Sequence, residues 1–160
     1  MPSILFVCTA NRFRSPLAAV YFARKVVTEG DDKVFRVSSA GTWAISGQPV
    51  MDEALDIAKE NNLNLNLHRS RMITGEILAS SDLILVMEIG HKEAISQEFK
   101  ESAERVYLLT EAIGDPPLDI LDPFSSSAKP EPVAREILEI IDRGYGAIIK
   151  LARENYLART

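Results

Sequence analysis

The chain has 160 residues, 46% of them hydrophobic and 26% charged, which suits one soluble domain over 1–160 with a substantial core. Its net charge of -5 excludes bulk electrostatic attraction to nucleic acid or to an anionic membrane, since both need a basic surface. A single cysteine forbids an internal disulfide, and two widely separated histidines, His68 and His91, offer no metal-ligand cluster, so neither metal nor cofactor is expected.

The chain opens on the apolar run ILFV (4–7), which predicts a strand, and the start MPSILFV has neither the charged region nor the cleavage site of a signal peptide. Cys8 follows as the first residue past that strand, and a helix is predicted over 17–28, behind Pro16, because proline is favoured in a first turn. VFRVS (34–38) predicts the second strand, and Val50 to Asn61, behind Pro49, the second helix. LILVM (83–87), a helix over 91–99 and RVYLL (105–109) come next. Residues 114–132, rich in Pro, Ser and Asp, read as a long surface loop. The last helix, about 131–157, carries Val133, Ile137, Leu138, Ile141, Ile148 and Leu151 on one stripe, and Gly144 and Gly146 are expected to weaken or bend it at roughly 1 kcal/mol each. No run reaches the roughly 18 apolar residues of a membrane span, and a cytoplasmic location is expected.

Nearly continuous apolar strands alternating with helices predict a doubly wound α/β fold with a parallel sheet covered on both faces. Ligands in such folds sit beyond the carboxyl ends of the strands, where the winding reverses. Cys8 stands at such an end. Alone at the end of an apolar strand it would be an inert buried residue, but Arg14 lies six positions on, Ser15 follows, and a helix begins near Pro16. Backbone N–H groups of Thr9, Ala10, Asn11, Arg12 and Phe13 can then converge as a nest at a helix N-terminus, which binds anions. A guanidinium beside that nest grips two oxygens of a phosphate-like ligand, and the same positive surroundings favour a thiolate. Nucleophile and phosphate site coincide in this reading.

The segment CTANRFRSP resembles the C-x5-R-S-P loop that the low-molecular-weight protein tyrosine phosphatase family carries after its first strand. SSAGT (38–42), LHRSR (67–71), SDLILVM (81–87) and LDPF (121–124) follow in that family's order, so the resemblance covers nearly the whole chain. It implies a four-stranded parallel sheet and a phosphocysteine intermediate. Family loops commonly read C-x-G-N-x-C-R-S, so Ala10 replaces a glycine and would be strained by about 1 kcal/mol if that position needed positive φ. Phe13 replaces a second cysteine, which removes disulfide protection of the nucleophile within the chain. Arg12 stands where Ile, Leu or Thr is usual, and three roles are open to it: pointing to solvent, favouring an acidic substrate, or altering the pocket wall.

A thiolate that attacks phosphorus must expel a poor leaving group, which calls for a general acid. Asp115-Pro116 and Asp122-Pro123 in the long loop are both candidates, since proline sets a turn that aims the carboxyl group. The resemblance selects Asp122, followed by Phe124, because the family's loop reads Asp-Pro-aromatic and its aromatic lines the pocket. Asn11 can tolerate a left-handed conformation and hold the nest open. The resemblance places the Ser15 hydroxyl near the thiolate and makes Ser39 and His68 supports of the loop. Trp43 is a candidate for the opposite wall.

Four functions fit. One is a protein tyrosine phosphatase with Cys8, Arg14 and Asp122 as its machinery and an acidic optimum, because the acid must be protonated while the thiol is ionised. The second is a protein arginine phosphatase, a branch of the same family that carries Thr at the position of Arg12; a cation there disfavours a guanidinium leaving group. The third is arsenate reduction with an external thiol, and the fourth a non-catalytic phosphate-binding module. The first is the main expectation, with a phosphorylated protein as partner.

Overall fold

Every residue of the central strand from Ile4 to Cys8 is buried, and the fold follows from that strand's two faces. A computed structural model describes residues 1–160. Strands β1 (Ser3–Cys8), β2 (Arg36–Gly41), β3 (Leu83–Val86) and β4 (Val106–Leu108) form one sheet in the order β2-β1-β3-β4. All pairings are parallel, with Cys8 opposite Gly41 and Val7 opposite Val86.

Successive side chains in a strand point to opposite faces, so a buried run must fill two cores. Ile4, Phe6, Cys8, Leu83 and Leu85 pack under α1 (Arg14–Thr28), α2 (Asp52–Glu60) and α6 (Pro130–Arg159). Leu5, Val7, Ile84 and Val86 join Leu78 of α3 (Gly75–Ala79) and Ile95 of α4 (Ile89–Glu98) on the other face. α5 (Leu109–Ala112) follows β4 directly, and a 3-10 turn spans Lys100–Arg105.

The four-stranded α/β architecture is the expected one, and several boundaries differ. β2 runs from Arg36 to Gly41 rather than over 34–38, because pairing with β1 from Ser3 to Cys8 draws Ser39, Ala40 and Gly41 into the ladder despite their weak strand preference. α1 begins at Arg14, three residues earlier than expected, which places Pro16 third in the helix, still within the turn whose N–H groups have no helical partner. Cys8 is the last residue of β1, not the first beyond it. α3, α5 and the 3-10 turn are too short to leave a periodic signal; Thr74 Oγ1 caps α3 by accepting from Ile77 N at 3.1 Å. α6 is continuous through Gly144 and Gly146. Gly144 is there for close approach: a Cβ on it would lie 1.9 Å from Cγ2 of Ile113, beside the end of α5.

Candidate active site

β1 delivers Cys8 to the carboxyl edge of the sheet, and α1 starts six residues later, so the intervening loop curls over the strand end. One residue in it has positive φ, Asn11 at 59°. Asparagine visits that region more readily than most residues, and Ala10 does not occupy it, so the expected strain at Ala10 does not arise.

Asn11 is fully buried and ties the loop from within. Its Nδ2 donates to Ser15 Oγ at 2.8 Å and to Ser39 Oγ at 3.0 Å, while its Oδ1 accepts from Arg71 N at 3.1 Å. Its carbonyl lies 2.8 Å from His68 Nε2. A carbonyl only accepts, so that ring nitrogen carries the proton; burial pushes the His68 pKa down, in keeping with a neutral ring. Ser39 and His68 thus both meet the loop at Asn11. Because Ser15 Oγ accepts from Asn11, its own hydrogen can point at Cys8 Sγ, 3.0 Å away, the Ala40 carbonyl being a more distant acceptor at 3.4 Å. A thiolate there gains a donor.

Arg14 is 2% exposed, and a buried guanidinium needs acceptors. Its Nη1 donates to Glu88 Oε2 at 2.7 Å and to the Ile120 carbonyl at 2.6 Å. Its Nη2 faces Asp122 Oδ2 at 3.9 Å. Glu88 sits just before α4, and its backbone N–H donates to Nδ1 of His91 at 3.0 Å. That bond leaves the His91 proton on Nε2, which reaches Thr9 Oγ1 at 2.8 Å. Burial first, then the Arg14 cation, push the pKa of His91 down to about 4. A neutral histidine therefore braces the near end of the loop, while Glu88 braces the arginine at its far end.

Above Cys8 lies a cavity of about 90 Å³, lined by Ala10, Arg12, Phe13, Arg14, Met51, Asp122 and Phe124. Asp122 Oδ1 accepts from Phe124 N at 2.9 Å and Oδ2 from Ser125 Oγ at 3.0 Å, a tight turn that presents the carboxyl group to the cavity. Asp115, the other candidate, is ion-paired with Arg143 of α6 at 3.0 Å and does not line the cavity. Arg12 stands at the rim, its Nε donating to the Pro49 carbonyl at 2.7 Å. Trp43 does not line this cavity: its backbone N–H donates to the Thr9 carbonyl and the residue is 79% exposed, whereas Met51 is among the lining residues. The arrangement joins a sulfur nucleophile, a fixed cation and a carboxyl group around one small cavity.

Glu88, His91, Arg71, Met51 and the Ile120 carbonyl were not anticipated from the sequence. The signal for the first two lay in position, since MEIGH follows β3 at the same sheet edge as Cys8, where ligands of such folds collect.

A loop of this kind after the first parallel strand defines the cysteine-based protein phosphatases. The family model described as low molecular weight phosphotyrosine protein phosphatase matches residues 3–156, and the chain belongs to that family. Among its relatives, a protein-arginine-phosphatase of Bacillus subtilis is 33% identical over 94% of this chain and 98% of its own. A probable low molecular weight protein-tyrosine-phosphatase, EpsP, of Ralstonia nicotianae is 30% identical over 94% of this chain and 96% of its own. The solved structure of YwlE arginine phosphatase, a cysteine-to-serine mutant with a phosphorylated active site serine, superposes with a TM-score of 0.85 at 31% identity, covering 96% of this chain and 99% of that one.

Proposed function

We propose that the protein hydrolyses phosphotyrosine in protein substrates, with Cys8 as nucleophile, Arg14 as the phosphoryl clamp and Asp122 as the proton donor. The Cys8 thiolate attacks phosphorus along the line opposite the ester oxygen, so that an S–P bond forms as the P–O bond to the tyrosine breaks. Asp122 gives its proton to the departing phenolate. Arg14 and the loop N–H groups hold the equatorial oxygens, whose charge grows in the transition state. Asp122, now a carboxylate, accepts a proton from water as that water attacks the phosphocysteine. Phosphate leaves, and the Cys8 thiolate is restored with the Ser15 hydroxyl to stabilise it. The observation that carries this reading is the convergence of Arg14 and Asp122 on the one cavity that holds the only thiol. That thiol must stay reduced, which fits a cytoplasmic setting.

Arg12 favours phosphotyrosine over phosphoarginine. Tethered to Pro49, its cation stands at the rim through which a substrate side chain enters, and it repels a guanidinium leaving group. Phe13, Phe124 and Met51 supply apolar wall for an aromatic ring. Phosphoarginine is the second reading, supported by 33% identity to an arginine phosphatase along nearly the whole chain. Side-by-side hydrolysis of a phosphotyrosine and a phosphoarginine peptide, with Cys8→Ser as blank, tests the choice. Faster release from phosphotyrosine, with Arg12→Thr shifting the ratio toward phosphoarginine, is the expected result. A wild-type preference for phosphoarginine would overturn it.

A further inference from the structure

Asp122 reaches the cavity only if its turn is held against the body of the protein. Upstream, Ile120 is anchored twice, by its carbonyl to Arg14 and by its N–H to the Met87 carbonyl at 2.8 Å. Downstream, hydrogen bonds between Asp122 and Ala128 are internal: Phe124 N and Ser125 Oγ to the Asp122 carboxylate, Ser126 Oγ to the Asp122 carbonyl, and Ala128 N to Ser126 Oγ. Ser125, Ser126 and Ser127 are exposed. Such a turn is held together from within, and beyond Ile120 it meets the body of the protein where Arg14 Nη2 faces the Asp122 carboxylate at 3.9 Å and where Ala128 packs against the core.

One aromatic contact adds to these. The Phe124 ring meets Phe13 edge to face, with centroids 5.3 Å apart and planes at 75°. Phe13 is 4% exposed, packed in the core under α1, and directly precedes Arg14. Its position is therefore set by the same loop that sets Cys8 and Arg14, and Phe124 is bonded to the Asp122 carboxylate through its own N–H. A displacement of the ring is passed to the carboxyl group within two residues.

We propose that Phe13 is the positioning residue for the proton donor: its buried ring holds Phe124 and so fixes Asp122 over Cys8. This rests on the reading of Asp122 as the general acid. The aromatic pair couples the phosphate loop to the acid turn, so nucleophile, clamp and donor share one rigid reference. A side chain without an aromatic edge at position 13 fills the core but releases the turn.

The test uses leaving groups. Phosphotyrosine expels a phenolate whose conjugate acid has a pKa of about 10 and needs the proton, whereas p-nitrophenyl phosphate expels a better anion and needs it less. Phe13→Leu is expected to lower kcat on phosphotyrosine by about tenfold or more, part of the roughly 100- to 10,000-fold a general acid supplies, and kcat on p-nitrophenyl phosphate by less than about threefold. The Ki of inorganic phosphate, which reports the loop alone, stays within about twofold in the same variant. In an Asp122→Asn background Phe13→Leu adds no further discrimination, because nothing is left to position. Phe124→Leu breaks the same contact from an exposed position that folding tolerates, and it reproduces the split, while Phe124→Tyr keeps the aromatic pair and shows no split between the two substrates.

Equal losses on both substrates, a raised phosphate Ki, or no loss in either Leu variant would overturn the proposal and leave Phe13 as core packing. If Asp122→Asn itself shows no dependence on the leaving group, the acid assignment fails first and the proposal falls with it. The single variant identifies which of the two was wrong.

Discussion

Asn11→Ala tests the construction of the catalytic loop most directly. The substitution removes three hydrogen bonds from a fully buried side chain, two given to Ser15 and Ser39 and one received from Arg71 N. At about 1 kcal/mol net for each, this is a loss of about 3 kcal/mol. Alanine must also hold φ near 59°, which costs it about 1 kcal/mol more than asparagine. The whole is about 4 kcal/mol, a large share of the 5–15 kcal/mol that keeps a domain folded. Where the loop relaxes locally, the same energy appears as weakened phosphate affinity, because oxyanions bind only the ordered loop.

Two assays therefore run together: urea unfolding for stability and inhibition by inorganic phosphate for loop order. Asn11→Ala is expected to lose several kcal/mol in the first, or at least tenfold in the second, with each 1.4 kcal/mol worth tenfold. Asn11→Gly loses the same bonds but is free of the φ penalty, so it recovers about 0.5–1 kcal/mol. Release of Ser15 from Asn11 also frees the hydroxyl that faces Sγ, so breakdown of the phosphocysteine slows more than its formation. An alanine variant within about 1 kcal/mol of wild type and within twofold in phosphate Ki would refute the reasoning.

Other outcomes follow from single contacts. Gly144→Ala, whose Cβ would collide with Ile113, is expected to destabilise by about 1–3 kcal/mol, whereas Gly146→Ala, with open space around it, stabilises by up to about 1 kcal/mol; thermal melts of the pair decide whether close approach or flexibility explains Gly144. Glu88→Ala leaves the buried Arg14 cation short of a countercharge and is expected to cost about 3 kcal/mol, a gap that saturating phosphate narrows by supplying charge in its place; an unchanged gap would deny that the pair balances the guanidinium. His91 has its pKa pushed from the ordinary 6.5 to about 4, so between those values the unfolded chain binds the extra proton, and stability rises with pH across that window. The contribution is complete above pH 6.5 and about 3 kcal/mol is lost as pH falls to 4; His91→Gln flattens that part of the urea-midpoint profile, and parallel profiles would contradict the buried neutral ring.

The parts of the site that were legible in the sequence lie within one stretch of chain. Cys8, Asn11, Arg14 and Ser15 lie within one strand-loop-helix segment, where short spacing restricts geometry: five residues join the end of β1 at Cys8 to the start of α1 at Arg14. Turn chemistry left Asp115 and Asp122 both open and the family resemblance selected Asp122; the ion pair of Asp115 with Arg143, which joins residues 28 positions apart, is the contact no local pattern could show. That Trp43 lies outside the cavity was not legible, because an aromatic next to a loop motif does not reveal which way its ring points, and here the residue is exposed.

Glu88 and His91 escaped for a different reason, and the reason follows from burial. An arginine at the first position of α1 beneath a closed loop cannot be left unpaired, so its presence demands acceptors from elements that cross the same sheet edge. β3 lies next to β1, and its chain leaves the sheet where Cys8 does, so the residues after Val86 are the nearest source. The demand became visible only with the burial of Arg14 at the start of α1, and the identity of the acceptor with strand order. Once β3 is known to neighbour β1, the first acidic residue after it is placed to reach Arg14, and Glu88 meets the guanidinium at 2.7 Å beside the Ile120 carbonyl. Its N–H then fixes His91 by the same backbone step, so a single turn at the head of α4 supports both ends of the loop around Cys8.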